Sequence, residues 1–204
     1  MIKNIYKKLT CLLLAVLLVT ACEEDFLGTK PAASVSTADV YASAENARGV
    51  IIAIYRQMRD WMGSMNRSGL HCNALTRDCM GPDVVVQRSW YTSEVTYSAY
   101  SQNSARVAYP FDLFYDVINY INDLLANIDG ASGTDAEINL VKAEAYALRG
   151  FSYFELVRRY QHTYSIAQNM PGVPIYTEPT TAETLGNPRS TVQAVYTQIL
   201  ADLT

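Results

Sequence analysis

Basic side chains are scarce in this chain. After Cys22 there are 13 of them against 20 acidic ones, a formal charge of −7, and only Lys30 and Lys142 are lysines. A polyanion is gripped by clustered cations, so nucleic acid is excluded as a partner. Histidine is scarcer still, with His71 and His162 alone. There is no HExxH, no GxSxG and no glycine-rich loop ahead of a lysine, so the frames for zinc hydrolysis, acyl transfer and phosphate handling are missing. His71-Cys72 could seed a thiol nucleophile, but adjacent residues on an extended chain point apart. His71, Cys72, Asp78, Cys79 and Asp83 fit no zinc spacing, and calcium would need oxygens beyond Asp78 and Asp83. No catalytic residue, metal or cofactor is assigned, and the protein is not expected to be an enzyme. Only 18% of the 204 residues are charged while half are apolar, which excludes a disordered tail. The length suits one domain with a real core.

Residues 1–21 form a leader. Lys3, Lys7 and Lys8 precede an apolar run from Leu9 to Val19 that only Thr10 interrupts. A membrane-spanning helix needs about 20 such residues, so the run reads as a secretion signal. Leu18-Val19-Thr20-Ala21-Cys22 resembles a bacterial lipobox, in which the cysteine becomes the acylated N-terminus. Each buried CH₂ of an acyl chain contributes about 0.8 kcal/mol, so palmitate-like chains on Cys22 would hold the protein on a membrane. Glu23-Glu24-Asp25 is similar to the surface-export signal of Bacteroidetes-type lipoproteins, which places the protein on the outer membrane facing outward. In that oxidising compartment Cys72 and Cys79 can close an eight-residue loop as a disulfide, provided their Cα atoms come within about 7 Å.

Residues 22–36 read as an extended tether, and residues 37–204 as a helical domain. Ser36 or Thr37 caps a first helix whose stripe is Val40, Ala44, Ala47, Ile51, Ile54, Met58 and Trp61, at steps of three and four. Gly63 and Ser64 end it. Residues 64–104 show no such period and read as a long connection with a short strand at Asp83–Arg88. A second helix, from about Arg106 to Ile128, carries Phe111, Phe114, Ile118, Ile121, Leu125 and Ile128, with Pro110 near its first turn. A third, about Asp135–Gln161, is apolar on most of its circumference, which predicts burial between partners. Helices two and three then form an antiparallel hairpin. Four prolines keep 162–189 extended. Ser190 caps a fourth helix, with Val192, Val195, Ile199 and Leu203 on one face, still unfinished at Thr204. The chain reads as the N-terminal part of a longer fold.

Several stretches together resemble the SusD/RagB family of nutrient-binding lipoproteins. They are the lipobox with its acidic follower, Asp39-Val40-Tyr41 leading to Ile54-Tyr55, and Phe114-Tyr115-Asp116-Val117-Ile118-Asn119 continuing to Asn122. Ala143-Glu144-Ala145 through Leu148-Arg149-Gly150 to Arg158 follows, then Gly172-Val173-Pro174-Ile175 and Pro188-Arg189-Ser190-Thr191-Val192. The resemblance implies an all-α fold of helix pairs similar to tetratricopeptide repeats. It also implies a partner, a SusC-like TonB-dependent barrel, to which an oligosaccharide is presented. RagB-like members present peptides instead, and a helical-repeat scaffold that binds no ligand is the competing class. The family's members are longer by several hundred residues, so part of the ligand surface lies outside this chain.

The ligand site is placed by this resemblance between the first two long helices. There Trp90, Tyr91, Tyr97 and Tyr100 supply flat apolar faces for sugar C–H groups, and Asp83, Arg88 and Asn103 supply polar groups for hydroxyls. Large aromatics also plug hydrophobic grooves, so each ring has a structural reading beside the functional one. Arg149 and Arg158 are expected to pair along their helix with Glu144 and Glu155.

Overall fold

The computed structural model describes residues 36–59, 69–87, 91–98 and 100–204. The leader, Cys22, the tether, Trp61, Arg88 and Trp90 lie outside them. The chain divides at Ser36, and Thr37–Thr204 forms one compact unit. Its elements are α1 (Thr37–Val40), α2 (Ala44–Arg59), α3 (Gly69–Asp78), α4 (Thr92–Val95), α5 (Ala105–Asn127), a 3₁₀ turn (Ile128–Gly130), α6 (Asp135–Tyr160), α7 (Tyr164–Ala167) and α8 (Val192–Leu203). The fold is all-α, as expected. Among the described residues no helix is long and apolar enough to cross a membrane.

Helix α6 is the centre of the unit and packs against α5, α8 and α2. Its start is fixed by a capping box: Thr134 Oγ1 accepts from the Glu137 N–H, and the Glu137 carboxylate accepts from the Thr134 N–H. Val141, Ala145, Tyr153, Leu156 and Val157 are buried along it, facing Phe114, Val117, Ile118, Ile121 and Leu124 of α5. These two helices are the hairpin that periodicity predicted. Gly150 lets α8 approach, since a Cβ there would stand 3.3 Å from Leu203 Cγ.

The first helix is not continuous. Tyr41 turns inward, donating its hydroxyl to Asp123 Oδ2 at 2.7 Å, and Ser43 Oγ accepts from the Asn46 N–H to start α2 afresh. The stripe Val40–Ala44–Ala47 steps across this break in register, which hid it. Pro110 is the sixth residue of α5, one position deeper than the expected start at Arg106 placed it. Thr191, not Ser190, caps α8, its hydroxyl accepting from the Ala194 N–H.

The 64–104 connection differs most from expectation, because α3 lies inside it. The residues α3 buries are Gly69, Cys72, Asn73 and Thr76, a small and polar set with no apolar stripe to betray the helix. Gly69 is required there. Its φ of +67° is left-handed, and a Cβ would stand 2.2 Å from the Met58 carbonyl oxygen. The strand expected at Asp83–Arg88 is not formed in its described part, residues 83–87, where Val85 is 82% exposed. The Val84-Val85-Val86 run finds no partner strand among the described residues, and a lone strand buries nothing.

Candidate functional site

Glu94 organises the segment that carries the expected site. It sits in α4 with no exposed surface, its Oε1 2.5 Å from Arg106 Nε and its Oε2 accepting from Ser93 Oγ at 2.8 Å. The Glu94–Arg106 contact is an ion pair without an aligned hydrogen bond. Arg106 is the second residue of α5, where the helix dipole disfavours a cation, so the Glu94 charge offsets both burial and dipole. The same guanidinium lies 5.8 Å from the centre of the Tyr91 ring and points Nη1 at Cys72 Sγ, 4.0 Å away. One arginine thus ties α3, the α4 segment and α5 together.

A second knot seats α3 on the end of α6. Glu155 is buried and faces three guanidinium groups, Arg77 at 3.1 Å and Arg158 and Arg159 at 3.8 Å. Burial, and then the like charge of Arg77, lowers the Arg159 pKa. Among the described residues nothing hydrogen-bonds Arg159 Nε or Nη2.

On this base the expected ligand residues separate into two groups. Tyr97 has a φ of 57°, the one positive value for a non-glycine among the described residues. Its hydroxyl donates to the Met80 carbonyl at 2.8 Å while 59% of the residue stays exposed. A side chain held at its tip with an open face is a platform. Asp83 and Asn103 are exposed too. Tyr91 and Tyr100 are partly buried instead. Burial raises both phenol pKa values, with the nearby Glu94 charge adding to each, and Tyr100 hydrogen-bonds Thr76. These two rings largely plug the junction.

Cys72 and Cys79 are not joined in a disulfide. They stand seven residues apart along a helical stretch, about 10.5 Å of rise, beyond the reach of a bridge. Cys79 is buried, and burial followed by the Glu94 and Asp78 charges raises its thiol pKa, which makes it a sluggish nucleophile. Arg149 also departs from expectation. It pairs across helices with Asp202, through Nε at 3.0 Å and Nη2 at 2.6 Å, and donates from Nη1 to Asn122 Oδ1 at 2.9 Å. Glu144 pairs with Arg48 instead. The expected Arg158–Glu155 pair does form.

A hollow of about 290 Å³ that the sequence did not suggest lies between α5 and the 174–184 strap. Phe111, Tyr115, Ile118, Asn119 and Asn122 form one wall, and Pro174, Tyr176, Thr180, Thr181 and Thr184 the other. The strap is fastened to the helices. Tyr115 donates its hydroxyl to the Pro174 carbonyl at 2.7 Å, and Asn122 Nδ2 donates to the carbonyls of Tyr176 and Glu178, each at 3.0 Å. Tyr153 Oη both donates to the Tyr176 carbonyl and accepts from its N–H.

Residues 25–204 match a SusD-like family described as starch-binding and associating with the outer membrane. The chain belongs to the SusD-like family. Among solved structures it is similar to a SusD-like carbohydrate binding protein from Bacteroides vulgatus, 30% identical with a TM-score of 0.75, over 79% of this chain and 34% of that one. A SusD superfamily protein from Bacteroides thetaiotaomicron is 24% identical (TM-score 0.62, 78% and 36% covered). Another, from Bacteroides fragilis, is 23% identical (TM-score 0.66, 80% and 39% covered). This chain therefore spans little more than a third of the length of those structures. No curated protein matches it. Several residues that gave the SusD-like resemblance have fastening roles in the structure. Tyr115, Asn122 and Arg149 pin the strap and α8 to the helical hairpin.

Proposed function

We propose that this SusD-like protein is a surface lipoprotein that binds a glycan and presents it to a SusC-like TonB-dependent transporter without breaking a bond. Membership of a family described as starch-binding and the 30% identity to a carbohydrate binding protein support the ligand class. The lipobox at Cys22 supports an acyl anchor. The observation that carries the site is Tyr97, a ring fixed at its hydroxyl by Met80 and open on its face, with Asp83 three residues beyond Met80. The apolar side of a pyranose stacks on such a face, while the Asp83 and Asn103 side chains bond its hydroxyls. Trp90, adjacent to Tyr91 in sequence, and Arg88, three residues before it, are candidates for the same ligand on their side-chain chemistry alone.

The test is calorimetric titration of the full mature protein with oligosaccharides. Tyr97→Ala should weaken binding at least about tenfold, equal to about 1.4 kcal/mol, while Tyr97→Phe, which keeps the ring and loses the Met80 anchor, weakens it less. Equal affinity for all three proteins would remove Tyr97 from the site. Binding of peptides and not glycans would replace the ligand class.

A further inference from the structure

We infer that the hollow between α5 and the 174–184 strap is a second binding site, and that its ligand is a single uncharged pyranose unit. The inference stands on the hollow's own chemistry and shares with the Tyr97 surface only the ligand class. Its first feature is an aromatic wall. Phe111 keeps 37% of its surface exposed, its ring 4.5 Å from that of Tyr115, and Tyr176 stands edge-on to Tyr115 at 6.0 Å. Together these rings give a flat face for C–H groups and a corner that fixes orientation.

The second feature is a set of uncommitted hydrogen-bond donors. Asn119 spends its Oδ1 on the N–H and hydroxyl of Thr180, at 2.8 and 2.9 Å, which leaves its NH₂ without a partner among the described residues. Tyr176 Oη accepts from the Asn187 N–H at 2.9 Å, and Thr184 Oγ1 accepts from the Thr181 N–H at 2.8 Å. Each of these two hydroxyls still has its own proton to give. Three donors around an aromatic face suit a ligand rich in hydroxyl acceptors.

The third feature is charge. Among the described residues no carboxylate, amine, guanidinium or imidazole lines the hollow, and the acid nearest in the bonding pattern, Glu183, is held beside it by Thr181 Oγ1 at 2.7 Å. The nearest cations are already engaged, Arg149 by Asp202 and Arg189 by the carbonyls of Gly172 and Pro171, so a uronate or a charged peptide would find no counter-ion on the walls themselves and the site favours neutral ligands. About 290 Å³ is at the small end of the roughly 300–1,000 Å³ typical of small-molecule sites, which limits occupancy to one ring. The walls are also preorganised, since the strap is fastened by Tyr115, Asn119, Asn122 and Tyr153 before any ligand arrives.

The experiment is saturation-transfer NMR on the full mature protein with methyl glucoside, methyl galactoside and methyl mannoside at millimolar concentration, and glucuronate beside them. At least one neutral glycoside should show transfer to its ring C–H protons, and glucuronate none. Phe111→Leu keeps apolar bulk but removes the flat face, and should weaken binding by about five- to tenfold. Tyr176→Phe keeps the ring and removes a donor, and should weaken it by a few-fold. Circular dichroism confirms that each variant is folded. The inference is overturned if no neutral glycoside binds, if glucuronate or an uncharged peptide binds as well as the glycosides, or if both folded variants bind as the parent does. Tyr97→Ala separates the two sites: loss of glycoside binding in that variant alone assigns the signal to the outer surface and overturns the groove. Loss in Phe111→Leu alone supports the groove and leaves the outer surface without a ligand.

Discussion

Replacing Glu94 by glutamine should release the aromatic segment without melting the domain. The substitution leaves the Arg106 cation, its side chain only 12% exposed, without its charge partner, and breaking such a pair costs at most about 3–5 kcal/mol. If the whole cost fell on global unfolding, a unit of this size would lose about 2–4 °C of Tm for each kcal/mol, or about 6–20 °C. The structure argues against that. Glu94 belongs to a helix of four residues, in which it is the one buried side chain, so the segment can detach at less cost than the pair is worth. Local opening then caps the loss. Hydrogen exchange followed by mass spectrometry should show protection lost at the amides of Thr96 and Tyr97, which bond back to Thr92 and Glu94. Amides in α5 and α6 keep theirs, and Tm falls by less than about 6 °C. Unchanged protection at Thr96 and Tyr97 would show that Glu94 does not hold the segment. A Tm drop over the full range would show that the segment is integral to the core.

Two further outcomes follow from named contacts. Asp202→Asn should lower Tm by about 6–20 °C, because Arg149 is buried and Asp202 is its carboxylate partner. The double change Arg149→Met with Asp202→Leu should recover most of that in the same thermal melt. The Thr134 backbone N–H, and then its hydroxyl, holds Glu137 below its ordinary pKa of 4.5. The stability from that contact is complete above 4.5 and lost as pH falls through the lower folded value. Thr134→Ala should therefore lower Tm by about 2–4 °C near neutrality, with the gap from the parent narrowing in acid.

The elements whose burial is periodic were legible in the amino-acid order alone. In α5 and α6 the apolar residues recur every three or four positions, and the hydrophobic effect turns that spacing into a buried face whatever the rest of the chain does. The expected starts near Arg106 and Asp135 lie within one residue of those observed, where Ser104 and Thr134 supply the caps. The expected family also rested on local strings, and residues 25–204 match it.

The remaining features came from packing between distant elements. Helix α3 was illegible because it buries Cys72, Asn73 and Thr76 and is held by residues from elsewhere in the chain, Arg106 at Cys72, Glu155 at Arg77 and Tyr109 at Gly69. Arg149 found Asp202 and not Glu144, because a carboxylate delivered by another helix at buried depth outweighs a neighbour on a solvated face. The groove arises where Phe111, Asn119 and Tyr176, as much as 65 residues apart in sequence, meet across one wall and one strap. Periodicity reports which side of an element is dry. It has no term for which distant residue arrives there, and that arrival set the pairings, the plugs and the hollow.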